Sequence, residues 1–400
     1  MVVWLGLLGV VHAQDALVLE TYNVGLAHGF VDHAAGRLPL ITDALSGEGG
    51  PDVLCVQEAW LTADRRGLQQ ALSEQYPHSH VLPVEQHRAE KAPACKRREL
   101  FGEDRFVSCM TGACDGLDGD ALTDCIVDSC GPILRDLRDD NPSCAMAVMA
   151  QVGKSPLAAI WTVMRPIRRA NLFAYGGSDG LMMLSRVPLQ NTGVVDFTDI
   201  STLNRRRALH ADVSLDGQTV RLYCTHLTAM LDNVAPYPGS FDSWGAENSA
   251  QVDRLLQHAT GHEGPVAILG DVNTGPALPA ANIQAEAPDS HAQFVHAGYA
   301  DPVLDLQQCT YCADNALLDE GASNVVLDHI FVRGLSGQDG RRTRDDITSL
   351  VDGTAVHLSD HYGYGVTISL PVAQPEAPQP SDPALENELP VPDPEEERVE

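Results

Sequence analysis

The sequence predicts an α/β protein, a four-layer sandwich in which two packed sheets of mixed and antiparallel strands are flanked by helices. Three observations lead there. Short apolar runs with strand periodicity alternate with segments of helical periodicity along most of the chain. One pair of runs is joined by Asp216-Gly217, a strong hairpin signal that brings antiparallel pairing into the fold. With 400 residues and 44% hydrophobic content, the chain can also bury a core of that size.

Taken in order, Leu17 to Val24 (LVLETYNV) alternates as a first strand ending at Asn23. Arg37 to Leu45 has helical spacing and stops at the Gly/Pro break from Gly47 to Pro51. Val53 to Gln57 is a buried second strand with Glu58 at its end, and Thr62 to Tyr76 is helical and stops before Pro77. From about Gln86 to Ala150 the pattern dissolves into a cysteine-rich stretch. The core resumes near Leu172, with strands at Gly180 to Arg186, Val194 to Phe197, Leu209 to Leu215 and Val220 to Thr225, the last running into His226. Asn248 to His258 reads as a helix leading into the apolar run Val266 to Leu269, which delivers Gly270-Asp271-Val272-Asn273 to its end. Val325 to Val332 is a further strand containing Asp328-His329, and Ser359-Asp360-His361 precedes a last strand, Gly365 to Leu370. The organisation expected is a signal peptide over residues 1–13, one domain over 14–370 with an insertion at about 86–150, and a disordered acidic, Pro-rich tail over 371–400.

Charge and cysteines narrow the function. The tail holds nine acids and one arginine, so about −21 of the formal −29 belongs to the rest of the chain. That disfavours a general polyanion-binding protein, which carries a basic face. The short basic clusters Lys96 to Arg98, Arg165 with Arg168 and Arg169, and Arg205 to Arg207 read as solvated surface. An apolar run from Val2 to Val11, followed by Val11-His12-Ala13, resembles a signal peptide with its cleavage site, and ten cysteines suit an oxidising compartment. A secreted, extracellular or periplasmic protein is therefore expected. No second run approaches the ~20 apolar residues of a membrane span.

The polar strand ends carry the chemistry: Asn23, Glu58, His226, Asp271 with Asn273, Asp328, and Asp360 with His361. Each has a bland reading, since Asn caps turns and an acid after a strand can cap a helix. Six strand ends doing so together, with two histidines, match the inventory of phosphoryl-ester hydrolysis. Carboxylates hold a hard divalent ion, an Asp-oriented histidine deprotonates water, and amide and imidazole donors meet charge on the phosphoryl oxygens. No HExxH, P-loop or GxSxG is present, so zinc peptidase, NTPase and α/β-hydrolase readings lack support.

The ordered set Thr21-Tyr-Asn-Val24, Pro51 to Glu58, Gly180 to Arg186, Thr225-His-Leu227, Gly270-Asp-Val-Asn273, Leu327-Asp-His329 and Ser359-Asp-His-Tyr362 resembles the endonuclease/exonuclease/phosphatase superfamily, with its DNase I-like fold. The resemblance runs from about residue 16 to 370. It implies Glu58 as the main metal ligand, with Asn23 and Asp360 completing a site for Mg²⁺, Mn²⁺ or Ca²⁺ being the alternatives. Asp271 then positions water or phosphate, Asn273 binds a phosphoryl oxygen, His361 oriented by Asp328 is the general base, and His226 stabilises the transition state or assists the leaving group. Trp60, Ala63-Asp64-Arg65, Leu68, Leu72 and Tyr76-Pro77 look like the segment that follows the metal glutamate in neutral sphingomyelinases. Two positions depart from that branch: Asn248, where an arginine is expected, and His329, where an aromatic is usual. The function expected is a secreted phosphodiesterase cutting a phospholipid headgroup ester by in-line attack of water. The alternative is a secreted DNase I-like nuclease acting on nucleic acid. A choline cation could sit against Trp60, Tyr175 or Trp244.

Within the insertion, Cys95, Cys109, Cys114, Cys125, Cys130 and Cys144 have palindromic spacing, which invites nested bridges 114–125, 109–130 and 95–144 among the 15 possible pairings. Asp115, Asp118, Asp120 and Asp124 read as a solvated acidic turn. Cys309 and Cys312 suit a local disulfide, while Cys55 and Cys224 are buried thiols, or a bridge if their strands are adjacent. Ala145 to Ala150 and Leu157 to Met164 read as core helix, with a lipid-facing surface helix as the alternative.

Overall fold

Alternation along strand β1 (Ala16–Asn23) sorts its side chains into two layers. Leu17 and Leu19 face a second sheet, whereas Tyr22 faces helices. The same division runs through the computed structural model, which describes residues 15–47, 49–117, 119–151, 154–232, 237–318 and 321–371. The expected signal peptide, Asp118 of the acidic turn, and the tail from residue 372 lie outside the described residues.

One sheet contains β1, β2 (Val53–Gln57), β3 (His78–His80) and β4 (Met182–Ser185). The second contains β5 (Gln190–Asp196), β6 (Arg207–Leu215), β7 (Gln218–His226), β8 (Val266–Asp271) and β9 (Asp328–Arg333). The chain then returns to the first sheet through β10 (Ser336–Thr343), makes a separate pair from β11 (Ile347–Ser349) and β12 (Ala355–His357), and closes on β13 (Gly363–Ser369). Strand orders are β10-β13-β1-β2-β4-β3 and β5-β6-β7-β8-β9. Pairing is parallel for β1–β2 and β7–β8 and antiparallel elsewhere, so both sheets are mixed. Asp216 and Gly217 join β6 to β7, both with positive φ (46° and 74°), as a primed hairpin turn requires.

Four layers result. The inner faces of the sheets meet in one apolar core that includes Leu17, Val53, Met183, Leu209, Leu222, Leu269 and Ile330. Helices α1 (Ala34–Leu45) and α2 (Thr62–Ala71) cover the outer face of the first sheet, burying Ile41, Leu45 and Leu68 against Leu54 and Val56. Much later in the chain, α8 (Trp244–Thr260) and α9 (Pro288–His296) cover the second, burying Val252, Leu255 and Phe294 against Tyr223, Ile268 and Phe331. A disulfide between Cys55 of β2 and Cys224 of β7 crosses the inner core and ties the sheets together.

Between β3 and β4 the chain is helical: α3 (Arg97–Leu100), α4 (Phe106–Ala113), α5 (Gly119–Asp140), α6 (Pro142–Met149) and α7 (Pro156–Val163). The stripe Leu122, Ile126, Cys130, Ile133 and Leu137 has helical spacing only when the cysteine counts as apolar, which is why the pattern looked dissolved. Bridges Cys95–Cys144, Cys109–Cys130 and Cys114–Cys125 are nested as the spacing invites, and Cys309–Cys312 is local. No described helix is long and apolar enough to cross a membrane.

Candidate active site

Asn23, His226, Asp271 and Asp328 share one property: by strand alternation each lies on an inner face, at the end where the two sheets part. Register sets three in a row, His226 beside Asp271 across β7–β8 and Asp271 beside Asp328 across β8–β9. Glu58 and Asn273, one and two residues past their strands, take left-handed backbone (φ 60° and 52°), a sparsely populated conformation typical of aimed side chains. Gly25, also left-handed (φ 54°), leaves room for Asp360: a Cβ there would strike its carboxylate.

Contacts converge on Asp271. Its Oδ2 accepts from Asn23 Nδ2 at 2.9 Å and lies 3.4 Å from His226 Nε2 and 3.8 Å from His361 Nε2, while Oδ1 accepts from the Asn273 backbone N–H at 3.0 Å. His361 Nδ1 donates to Asp328 Oδ2 at 2.8 Å, leaving Nε2 turned toward the gap. His226 Nε2 is 3.9 Å from Glu58 Oε1. Asn273 spends one amide proton on the Leu227 carbonyl at 3.0 Å and keeps the other. The eight residues singled out by sequence thus share one end of the fold.

Electrostatics differ within the group. Burial pushes the Asp271 carboxyl up to about 7, against the pull of His361. Burial also raises Glu58, and the Asp360 charge adds to it. His226 is held neutral, lowered first by burial and then by Arg206. For His361 burial acts against the charge, but Asp328 and Asp271 outweigh it and raise the imidazole well above its ordinary value.

Sequence reasoning missed Arg206. The expected solvated cluster Arg205 to Arg207 is buried, with 6%, 4% and 5% exposure. Alternation separates its members: Arg205 and Arg207 pair with Glu85 and Asp196. Arg206 points the other way, its guanidinium carbon 5.6 Å from the centre of the Trp60 ring and within electrostatic reach of Glu58 and Asp271. Its Nε and Nη1 are buried without a hydrogen-bond partner, a rare state for a guanidinium in a finished core. Trp60 stacks on Tyr175 (centroids 5.2 Å, 11° between planes), Phe30 meets Tyr175 edge-on, and His226 lies 5.9 Å from Trp60, forming an aromatic wall. Trp244, by contrast, is fully buried against Tyr237 and presents no face to a headgroup.

The model of the Endonuclease/Exonuclease/phosphatase family matches residues 21–361, a span that takes in all eight residues. The chain belongs to that family. As a member it is a divalent-metal-dependent phosphodiester hydrolase. No curated protein sequence matches it. Among solved structures, SmcL is 14% identical, with TM-score 0.50 over 88% of this chain and 99% of its own, and shares the fold. D. rerio TDP2 complexed with single strand DNA product (16%, TM-score 0.48, 89% and 99%) and sphingomyelinase C from Streptomyces griseocarneus (16%, 0.47, 88% and 99%) are also similar.

The residues fit such a metal. Glu58 and Asp360 face each other closely enough for one charge to raise the other's pKa, an excess of anions that a dication offsets. Hard oxygens of two carboxylates and the Asn23 carboxamide suit Mg²⁺-like ions. His291, Asp301 and His329 form a second cluster of ligating types, but it is closed on itself. Asp301 Oδ2 bonds both His291 Nε2 (2.8 Å) and His329 Nδ1 (2.9 Å), and His329 Nε2 donates to the Thr274 carbonyl at 2.8 Å. His329, one residue past inward-facing Asp328, therefore faces outward and braces the loop behind Asn273. Asn248 is a brace as well, donating to the Thr228 and Val272 carbonyls at 2.8 and 3.0 Å.

Proposed function

We propose that this chain is an exported, Mg²⁺-dependent phosphodiesterase that hydrolyses the headgroup ester of a zwitterionic phospholipid, as a sphingomyelinase does. One observation carries the choice of lipid: half-buried Tyr175, stacked on buried Trp60 beside His226, gives an aromatic surface for a choline cation next to the phosphate position. Five disulfides support an oxidising location. A nuclease on the same scaffold needs a basic track leading away from the scissile phosphate. Of the three basic clusters, the one at the site is buried, with two of its arginines spent on Glu85 and Asp196.

In this reading Glu58, Asp360 and Asn23 hold the metal, and when bound it supplies Lewis-acid stabilisation of the phosphoryl and leaving oxygens. Asp271 orients the attacking water through the oxygen it shares with Asn23. In its neutral form His361 Nε2, made a strong proton acceptor by Asp328 and Asp271, takes the water's proton as the oxygen bonds to phosphorus, and Asp328 holds the imidazolium that forms. The bond from phosphorus to the lipid oxygen breaks, and that oxygen leaves as an alkoxide that solvent water protonates, while His361 returns the proton it took to solvent. His226, kept neutral, donates a hydrogen bond to a phosphoryl oxygen rather than a proton. Arg206 turns its unpartnered guanidinium toward the same phosphate, which explains why a buried guanidinium is left unpaired.

A panel of sphingomyelin, phosphatidylcholine and plasmid DNA, each with Mg²⁺ and with EDTA, tests the proposal. Phosphocholine release that EDTA stops is the expected result. Rapid plasmid nicking with no phosphocholine released would replace the lipid reading by the nuclease one.

A further inference from the structure

Helix α7 has two faces of different character. Ile160, Val163 and the following Met164 pack into the core of the disulfide-bonded helices. On the other side Leu157 and Trp161, one turn apart, are 82% and 61% exposed, and Ile167 beyond the helix is 88% exposed. Two large apolar side chains side by side in water, with a third exposed six residues on, are uncommon on a surface with no partner.

Their surroundings are basic in an acidic protein. From Asn141 to Ser178 there is no Asp or Glu, while Lys154, Arg165, Arg168 and Arg169 are present. Arg165 lies over the Trp161 ring, 3.3 Å from its centre. A second basic stretch, remote in sequence, is pinned alongside: Cys95 N–H bonds the Val163 carbonyl (3.1 Å) and Ala89 N–H the Ala170 carbonyl (2.9 Å). Those contacts place exposed Lys96, Arg97 and Arg98 beside the end of α7. Two acids lie in the same stretch, Glu99, which accepts the Lys96 backbone N–H at 2.7 Å, and exposed Glu90, against the basic Arg88, Lys91, Lys96, Arg97 and Arg98.

We infer that the face carrying Leu157, Trp161, Ile167, Arg165, Arg168 and Arg169 docks the enzyme on an anionic phospholipid bilayer. It rests on the lipid reading above only for what is cut once the enzyme has docked. Aromatic and aliphatic side chains enter the interfacial region while arginines stay level with the headgroup phosphates, so both halves of the patch are satisfied at once. Nucleic acid would engage the arginines but leave Leu157 and Ile167 in water. The face is also close to the candidate active site. Arg169 is six residues from Tyr175, at most about 22 Å of chain, and Tyr175 stacks on Trp60 of the aromatic wall.

Vesicle co-sedimentation in EDTA, where hydrolysis is stopped, tests docking apart from turnover. The probes are vesicles of phosphatidylcholine with 30 mol% phosphatidylserine, vesicles of phosphatidylcholine alone, and duplex DNA. Each arginine held at an anionic surface contributes about fivefold in affinity, so Arg165→Gln/Arg168→Gln/Arg169→Gln should weaken binding to the anionic vesicles roughly 100-fold. Trp161→Ala should weaken it about tenfold, as expected for one buried aromatic. Both variants alter exposed or half-buried surface side chains and should keep the wild-type melting temperature. If both variants bind the anionic vesicles as wild type does, or if wild type binds DNA through these arginines and no vesicle, the inference is overturned. Docking through this face without headgroup release in Mg²⁺ would leave the inference standing and remove the lipid-substrate reading.

Discussion

Replacing Arg206 by Met separates a substrate-binding arginine from a structural one. The guanidinium is buried with Nε and Nη1 unpartnered, and burial lowers its pKa despite Glu58, Asp271 and Glu247 nearby, so its surroundings disfavour the charge. Removing it should leave the melting temperature unchanged or raise it, because an unpaired buried charge is a net cost and Met fills similar volume. Catalysis should move the other way. A hydrogen bond to a charged group contributes about 1.5–3 kcal/mol, so losing the phosphate contact should lower kcat/KM roughly 10- to 150-fold. The assay is phosphocholine release from sphingomyelin in detergent, alongside thermal unfolding of both proteins. A variant that melts lower and keeps its kcat/KM would show that Arg206 is a structural counter-ion for Glu247 and Glu58, and that the phosphate is held elsewhere.

Three further outcomes are expected. His361→Ala should lower kcat by roughly 10²–10⁴-fold, the usual worth of a general base, and Asp328→Asn should lose less; near-normal kcat in His361→Ala would pass the base to Asp271. Asp301 holds the His329 pKa up against burial, and His329 and His291 hold that of Asp301 down against burial. Their stabilisation is therefore fully present between about pH 3.9 and 6.5, lost as pH rises through the elevated folded value of His329 and as it falls through the depressed value of Asp301. The melting-temperature gap between wild type and Asp301→Asn should accordingly narrow at alkaline pH, and a gap that stays constant contradicts the pairing. Cys55 and Cys224 are 169 residues apart, so Cys55→Ala/Cys224→Ala should cost about 2–5 kcal/mol in urea unfolding, and a loss under about 1 kcal/mol would remove the inter-sheet tie from the account.

The polar strand ends were legible because each follows an apolar run whose period of two fixes the face it occupies. Asn23 shares a face with Leu19, and Asp271 with Leu269, so the inner core also predicts the site's contents. Arg206 was not legible by composition, since three consecutive arginines look solvated; alternation within the triplet was the available signal, and it needed the partners Glu85 and Asp196, which are distant in sequence. Trp244 failed as a headgroup contact because an aromatic at a helix start says nothing about which side of the helix the core lies on. The helices of the insertion were hidden by polar residues between their stripes and by cysteines that pack as apolar groups. Leu157 to Met164 illustrates both readings at once: one face is core, the other is open.

The central claim is that Glu58 and its neighbours hold a divalent ion on which phosphodiester hydrolysis depends. Titrating Mg²⁺ into EDTA-stripped protein while following phosphocholine release tests it most directly, with Glu58→Gln run in parallel. Wild type should recover turnover along a saturable curve, and Glu58→Gln, equally well folded, should recover almost none. Turnover that persists in EDTA, or that Glu58→Gln recovers in full, would contradict the account.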